Sequence, residues 1–395
     1  MIHSLLSSFP FFVCFFWLIL FTIEYRKANP AKRFLTYFLL VCTVLYFSHT
    51  IYFHRQVYFY SIIESIYAFC SLAVFPLYYL YIRKLTSEKP LNLKRFWVLL
   101  PAIILTLSAM LFYGMMSEGE RLRFVDRFFF NQNIPDYKLS FAEIAQLYRI
   151  KIMKVLFIVQ LFPVAYYGFK KLSRFNKEID NFYSDTEMKT LTPIKNLLLL
   201  FILLACFSAI ANQLGTTFFI HESWLLAIPS ITFSSLLFFV SYVGYKQNFT
   251  ALDFYKQTQE SPLTEVEINP DLTFEILKEQ LQHVIVAQQL FKQKDLHISD
   301  VALKIGSNRT YLSSCINKEM DLSFSDYINT YRVKYAQSLM IVPGNLLSQL
   351  EISELSGFAN ESSFYRNFKK ITGLTPKEWC KQQSAISEDK NCSHH

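Results

Sequence analysis

Apolar residues come in long, nearly unbroken runs as far as Tyr245, and beyond that point they thin out to a helical spacing. Seven runs approach the roughly 20 residues with which an α-helix crosses a hydrocarbon core about 30 Å thick. They are approximately Leu5–Ile23, Phe34–Phe53, Val57–Ile82, Phe96–Met116, Ile152–Phe169, Leu197–Ile220 and Trp224–Tyr245. In lipid the backbone must satisfy its own hydrogen bonds, so runs of this length predict helices. The first lacks a basic stretch ahead of it and a small-residue cleavage pattern behind it, and reads as a retained span. Pro76, Pro101, Pro163 and Pro229 fall inside runs and are expected to kink them. The connection Ser117–Lys151 reads as a long loop whose Phe128–Phe130 triplet would anchor at the membrane interface or form part of a ligand mouth.

After Tyr245 the pattern changes. Residues 246–270 are polar and mixed in charge, the mark of a linker that would span about 28 Å if flexible. From Asp271 to Gln382 the punctuation is helical. Leu272, Ile276, Leu277, Leu281, Val284 and Ile285 set a first helix. Two copies of one design follow. In the first, Ser299–Ile305 ends at Gly306, and Asn308 caps a helix Arg309–Glu319 with Tyr311, Leu312, Cys315 and Ile316 inward. In the second, Leu350–Ser356 ends at Gly357, and Asn360 caps a helix near Glu361–Thr372 with Phe364, Phe368 and Ile371 inward. Between them Ser323–Ile341 reads as one long helix stopped before Pro343, and Thr375–Glu378 as a capping box. The polar residues 384–395 form a tail.

Composition agrees with a split chain. Of 395 residues, 52% are hydrophobic and 18% charged, with 40 Phe and 24 Tyr. Soluble domains average 45–50% apolar and about 25% charged, so a soluble enzyme spread over the whole length is excluded. The net charge of +8 matters through its placement. Basic clusters follow the first span (Arg26, Lys27, Lys32, Arg33), the third (Arg83, Lys84, Lys89, Lys94, Arg95) and the fifth (Lys170, Lys171, Arg174, Lys177). By the positive-inside rule these loops are cytoplasmic, the N-terminus lies outside and everything after Tyr245 lies in the cytoplasm.

Candidate chemistry is sparse. Glu64 lies within the third span, where an ionisable group is costly, and is a candidate sensor of a ligand or proton or else a packing group. The seven cysteines form no CxxC pair, and no His/Cys/Glu spacing resembles a zinc site. No nucleophile motif or phosphate-cradling glycine loop is present, so neither enzyme activity nor a cofactor or metal is expected.

Helix, tight turn, helix, repeated, is the layout of a helix-turn-helix DNA reader. On the outward faces lie Arg309, Thr310, Ser313, Ser314 and Asn317 in the first copy, and Ser362, Ser363, Arg366, Asn367 and Lys370 in the second. Small polar side chains there can reach base edges, and the arginines can donate to guanine or phosphate. The stretch Gly357-Phe-Ala-Asn-Glu-Ser-Ser-Phe-Tyr-Arg-Asn-Phe-Lys-Lys-Ile-Thr-Gly-Leu-Thr-Pro376, with Asp300-Val-Ala, Tyr311-Leu-Ser and Phe324-Ser-Asp-Tyr-Ile328 before it, resembles the DNA-binding domain of the AraC/XylS transcription regulators. The resemblance covers about Asp271–Gln382. It implies two helix-turn-helix units joined by a linker helix, promoter binding, and frequently a dimer. It places base contacts on Thr310, Ser313, Ser314, Glu361, Ser362, Ser363 and Arg366; Glu361 is acidic and suits an amino group such as that of cytosine. Across the domain thirteen Lys/Arg meet twelve Asp/Glu, so DNA binding should be modest and salt-sensitive.

The expected architecture is therefore all-α: a bundle of about seven transmembrane helices over 1–245, a linker over 246–270, a double helix-turn-helix domain over 271–383 and the tail. The function this implies is a regulator in the bacterial cytoplasmic membrane. Its partners would be promoter DNA, the bilayer, a second copy and an unknown small-molecule or membrane signal. The alternative is a carrier or channel whose cytoplasmic helical domain only regulates it.

Overall fold

The computed structural model describes residues 2–89, 92–130, 137–214, 223–260, 273–342 and 347–383. The expected linker residues 261–270, Pro343 and the tail 384–395 lie outside them. Among the described residues the secondary structure is helical, with one isolated antiparallel bridge between Tyr183 and His297. The chain divides into two compact units. The first comprises Met1–Ser173 and Leu191–Leu252; the second comprises Arg174–Thr190 and Asp253–His395.

The first unit is a bundle. Its helices are α1 (Ile2–Glu24), α2 (Pro30–Phe53), α3 (Val57–Leu85), α4 (Leu100–Met115), α5 (Glu118–Phe129), α6 (Phe141–Asp180), α7 (Thr192–Leu214) and α8 (Ser223–Lys246). Seven of them, all but α5, are long and apolar enough to cross a membrane. α3 is the central element, with 72% of its apolar window buried, whereas the others show much of their apolar surface outward. That distribution suits a solvent of hydrocarbon, in which an outward Leu or Phe costs nothing. Hydroxyls on the spans bond to the carbonyl one turn back, as Thr43 does to Leu39 and Ser241 to Leu237, so they present no unpaired group. Aromatic rings fill the interior: Phe75 stacks on Phe201 with centroids 4.7 Å apart. Glycine permits close crossings, as at Gly168 on α6, which packs on Leu198 of α7, and at Gly244. A Cβ at Gly244 on α8 would lie 2.2 Å from a Leu35 methyl on α2.

Two expectations need correction. Pro101 sits in the first turn of α4, directly after a 3-10 stretch Leu93–Leu99, where a missing N–H costs nothing and no kink arises. Pro76, Pro163 and Pro229 do lie inside helices, which run through them. Secondly, Ser117–Lys151 is not one loop. Ser117 and Glu120 form a capping box that starts α5, and Glu143 accepts from the Ser140 N–H at 2.7 Å as α6 begins. Within the aromatic triplet Phe128 and Phe129 are half-buried, and Phe130 is buried and stacks on Tyr52 at 5.2 Å, in a cluster with Tyr60, Tyr113 and Phe124.

The early start of α6 carries Arg149 into the bundle. Its Nη2 donates to Glu64 Oε1 at 2.6 Å, with side-chain exposures of 2% and 0%. Arg149 Nε donates to Gln146 Oε1, and Gln146 Nε2 to the Ala109 carbonyl of α4 at 3.2 Å. Three helices are thereby tied by one charge network. Removing one partner of such a pair strands a charge at a cost of about 3–5 kcal/mol, whereas removing both costs far less. Arg149→Met should therefore lower the unfolding temperature of the detergent-purified protein strongly, and Glu64→Gln/Arg149→Met should recover most of the loss. A double variant no more stable than Arg149→Met would mean that the pair does not act as a unit.

Candidate nucleic-acid interface

Within the second unit the helices are α9 (Ala251–Glu260, whose residues from Asp253 belong here), α10 (Phe274–Ala287), α11 (Ile298–Ile305), α12 (Arg309–Glu319), α13 (Phe324–Met340), α14 (Gln349–Leu355) and α15 (Glu361–Thr372). A last helix spans 376–383. The polar composition of 246–270 conceals α9: its Phe254 lies against Phe182 at 5.5 Å, an apolar contact that rewards helix formation.

Each reader helix is set by local chemistry. Gly306, at φ +71°, ends α11, and the Asn308 side chain accepts from the Tyr311 N–H at 2.8 Å to start α12. In the second unit of the repeat, Ser348 and Glu351 box the start of α14, Gly357 turns at φ +84°, and Asn360 accepts from the Ser363 N–H at 2.8 Å. Gly357 is also a close-approach site: a Cβ there would stand 2.5 Å from the Phe291 carbonyl oxygen. Thr375 and Glu378 form the capping box expected of them. Behind α12 lie Leu312, Cys315 and Ile316; behind α15 lie Phe364 and Phe368, packed with Phe358, Ile352 and Val333 of α13.

The predicted readers fall into distinct situations. Arg309, Thr310, Glu361, Ser362, Arg366 and Lys370 are exposed, while Ser313, Ser314, Asn317 and Asn367 are half-buried. The two asparagine amides donate back to their own helices, Asn317 to the Ser313 carbonyl at 2.7 Å and Asn367 to the Ser363 carbonyl at 2.9 Å. Two residues differ from expectation. Ser363 is buried rather than outward, because it occupies the third position of α15, where its N–H meets the Asn360 cap and its Oγ lies within reach of the Asn367 amide. Ile371 is 38% exposed rather than inward, since the core face of α15 is already filled by Phe364 and Phe368.

Sequence reasoning missed the group that joins these parts. Arg332 on α13 is 1% exposed. Its Nε donates to the Phe291 carbonyl and its Nη2 to the Gln293 carbonyl, both at 2.7 Å, and Nη1 reaches Asn329 Oδ1 at 3.2 Å. Nη2 also donates to Ser184 Oγ at 3.0 Å. Burial lowers its pKa to about 10, opposed by Asp185 and Asp295, so it remains cationic at neutral pH.

Ser184 belongs to residues 174–190, the connection between α6 and α7. This segment carries the second surprise. Its backbone pairs with the chain ahead of α11, the Ser184 N–H donating to the Leu296 carbonyl and the Ile298 N–H to the Phe182 carbonyl, both at 3.0 Å. Ser325 donates to the Ser184 carbonyl at 3.0 Å. Three contacts reach the predicted readers or their neighbours. The Arg309 guanidinium lies 5.5 Å from the Phe182 ring centre, Arg366 Nη2 lies 3.9 Å from Glu187 Oε2, and Lys370 Nζ lies 2.5 Å from Asp326 Oδ1. Asp180 is raised above the usual carboxylate range by burial and by Asp326, with Lys370 and Arg366 pulling the other way. The sequence signal was faint: Phe182-Tyr183 in a polar connection, where the basic residues before them had suggested only a cytoplasmic loop.

Comparison with known proteins identifies the fold of this region. Residues 301–382 match the family described as a helix-turn-helix domain. This part of the chain is an AraC-type helix-turn-helix domain. The protein named "Uncharacterized HTH-type transcriptional regulator YtdP" of Bacillus subtilis (strain 168) is 29% identical over 126 residues, 32% of this chain and 16% of that one. An "Uncharacterized HTH-type transcriptional regulator" of Staphylococcus aureus is 25% identical over 107 residues, 27% of this chain and 14% of that one. The chain thus matches less than a fifth of the length of these curated relatives. No solved structure matches.

His297 makes the pairing of residues 182–184 pH-sensitive. Burial lowers its pKa below 6.5, reinforced by Lys189 and opposed by Asp300 and Asp295. A group depressed on folding contributes stability that is fully present above the unfolded value and is lost as pH falls through the folded one. Hydrogen exchange at the Ser184 and Ile298 amides should therefore be slow at pH 7.5 and, after correction for intrinsic rates, less protected below about 6.5. Protection that stays constant from pH 7.5 to 5 would dissociate His297 from the pairing.

Proposed function

We propose that this chain is a membrane-bound one-component transcription regulator. Its double helix-turn-helix domain binds promoter DNA in the cytoplasm, and its bundle adjusts that binding in response to a signal. The single observation that carries the reading is the domain over 301–382: two capped helix-turn-helix units with polar outward faces, similar to proteins named as HTH-type transcriptional regulators. Seven helices long and apolar enough to cross a membrane support anchoring. The basic clusters after the first, third and fifth spans support an outside N-terminus and a cytoplasmic domain. The proposed readers are Arg309, Thr310, Ser313, Ser314 and Asn317 on α12, with Glu361, Ser362, Arg366, Asn367 and Lys370 on α15; Ser363, buried against the cap, is not among them. A near-neutral domain has little long-range attraction for DNA, which favours binding as a homodimer that adds two modest contacts.

The connection 174–190 supplies a route for regulation. Glu187, Asp180 and Asp326 lie around the two cations of α15 that would meet phosphate, so the arrangement described above is the one in which DNA must compete with carboxylates. A signal that draws the connection away removes Glu187 from Arg366 and Phe182 from Arg309, while Lys370 keeps its pairing with Asp326 of α13. Glu64 in this scheme is held by Arg149 and acts on the bundle's packing; a sensing role would require a ligand that separates the pair.

Arg366→Ala should weaken binding to a target promoter by about 1–3 kcal/mol, roughly 5- to 150-fold, with unchanged membrane insertion. Glu187→Gln should tighten it by about two- to fivefold, the scale of one partly exposed ion pair. Genome-wide mapping of bound DNA identifies the promoters, and anisotropy on the purified full chain reads the affinities. Identical site occupancy in wild type and Arg366→Ala would remove that residue from the interface.

A further inference from the structure

A cavity of about 540 Å³ lies within the bundle, in the range of small-molecule sites. It is walled by α1, α2, α3, α6, α7 and α8, with Phe128 and Phe129 from the end of α5. Along α3 its lining runs from Tyr60 to Phe75, roughly 22 Å at the helical rise, so the cavity is a slender shaft. One end is closed by Phe75, stacked on Phe201 and edge-on to Phe157 at 5.4 Å. At the other end the Tyr52 hydroxyl donates to the Phe129 carbonyl at 3.0 Å and is thereby committed.

The polar groups that matter stand between these ends. His49 of α2 and Tyr67 of α3 have ring centroids 5.3 Å apart, and Tyr46 meets His49 edge-on at 5.5 Å. All three line the shaft. His49 Nε2 lies 3.5 Å from the Tyr67 hydroxyl, whereas a well-made bond measures about 2.7–3.2 Å. The phenolic proton is therefore loosely held, and a better-placed oxygen can take it. Around this pair the wall is mainly aromatic and aliphatic. Aromatic walls accept a flat ring, edge-on or offset, with centroids about 4.5–7 Å away. They give an ion little in exchange for its water.

We propose that this shaft binds a neutral, slender lipophile with one acceptor oxygen, a carbonyl on an apolar body that includes a flat ring. The Tyr67 hydroxyl donates to that oxygen, and the body lies between the rings. Lys154, also in the wall, has an interaction of its own and takes no part in the site. A neutral lipophile partitions into the bilayer, which is its source. This rests on the reading of the bundle as the sensing part and gives that reading a ligand class. An occupant that takes the Tyr67 proton from His49 also removes a contact between α2 and α3. It therefore prefers one packing of these helices over another, as a signal must.

The probe is 2-dimethylamino-6-lauroylnaphthalene, a fluorescent ketone, compared with 2-dimethylamino-6-dodecylnaphthalene, which lacks the oxygen. Each is titrated onto the full chain in phosphatidylcholine nanodiscs, with empty nanodiscs as the baseline. Saturable binding above that baseline is expected for both, the ketone roughly fivefold tighter, the scale of one net hydrogen bond. Tyr67→Phe should cut that preference to under ~twofold and leave the hydrocarbon's affinity unchanged. The emission of the bound ketone, red-shifted by a hydrogen bond at its oxygen, should move to the blue in the same variant. Ser71→Phe and Ser208→Trp, which fill the shaft from α3 and α7, should each abolish saturable binding of both compounds. Absence of saturable binding, a hydrocarbon bound as tightly as the ketone, or unchanged binding in a folded filled variant overturns the proposal. If neither filled variant folds, the Tyr67→Phe comparison decides. A preference that survives it, or an equal loss of both compounds, assigns Tyr67 to packing alone and overturns the site. No DNA enters the readout, so failure here leaves the regulator reading standing, and failure of Arg366→Ala leaves the shaft standing.

Discussion

A buried guanidinium organises the helix-turn-helix part of this protein. Arg332 has five N–H donors and no acceptor, so a site that buries it must supply carbonyls from several directions at once. Phe291 and Gln293 supply two, from the short stretch between α10 and α11; Asn329 supplies a side-chain oxygen and Ser184 a hydroxyl. These acceptors lie on three different parts of the chain. Its Cζ also stands 5.7 Å from the ring centre of Phe358, in the turn of the second helix-turn-helix. The stretch ahead of α11, the linker helix α13, the turn of the second helix-turn-helix and the connection 174–190 therefore meet at one side chain. Its loss would strand the Phe291 and Gln293 carbonyls along with the oxygens of Asn329 and Ser184, a larger penalty than its own hydrogen bonds would suggest.

This constraint explains why the connection is ordered at all. A polar connection between two helices has little reason to hold one conformation unless something pins it. Here Ser184 is fully buried and is met by Ser325, Asn329 and Arg332, while Met188 takes a left-handed backbone at φ +62°, a conformation that costs a non-glycine residue about 1 kcal/mol or more. The strain is tolerable because the flanking contacts fix the path. The acidic side chains that follow, Asp185 and Glu187, then have their positions set by the same pin.

How much of this was legible depended on the range of the signal. The spans were readable because apolar length is a one-dimensional property, and the reader helices because their caps (Asn308, Asn360, Ser323) and their glycines act within four residues. What failed was everything set at long range. Arg149 looked like part of a charged outer loop, since nothing local marks an arginine as inward; only the partner 85 positions earlier does so. Phe130 looked interfacial for the same reason. Arg332 sits in a helix with ordinary polar neighbours and shows no motif, and Ser184 is a serine in a polar stretch. Ser363 was assigned outward by helical phase, but a residue in the first turn of a helix also serves its cap, and that local duty turned it in.

The most consequential misreading concerns α6. The expected span began at Ile152 and ended at Phe169; the helix runs from Phe141 to Asp180, forty residues or about 60 Å, twice the hydrocarbon thickness. Its start brings Arg149 to Glu64, and its last turn leads directly into the residues that meet Arg332. Apolar length marked only the middle of the helix; both of its ends are set by polar partners far away along the chain, Glu64 for the first and Arg332 for the residues after the last, which no local pattern displays.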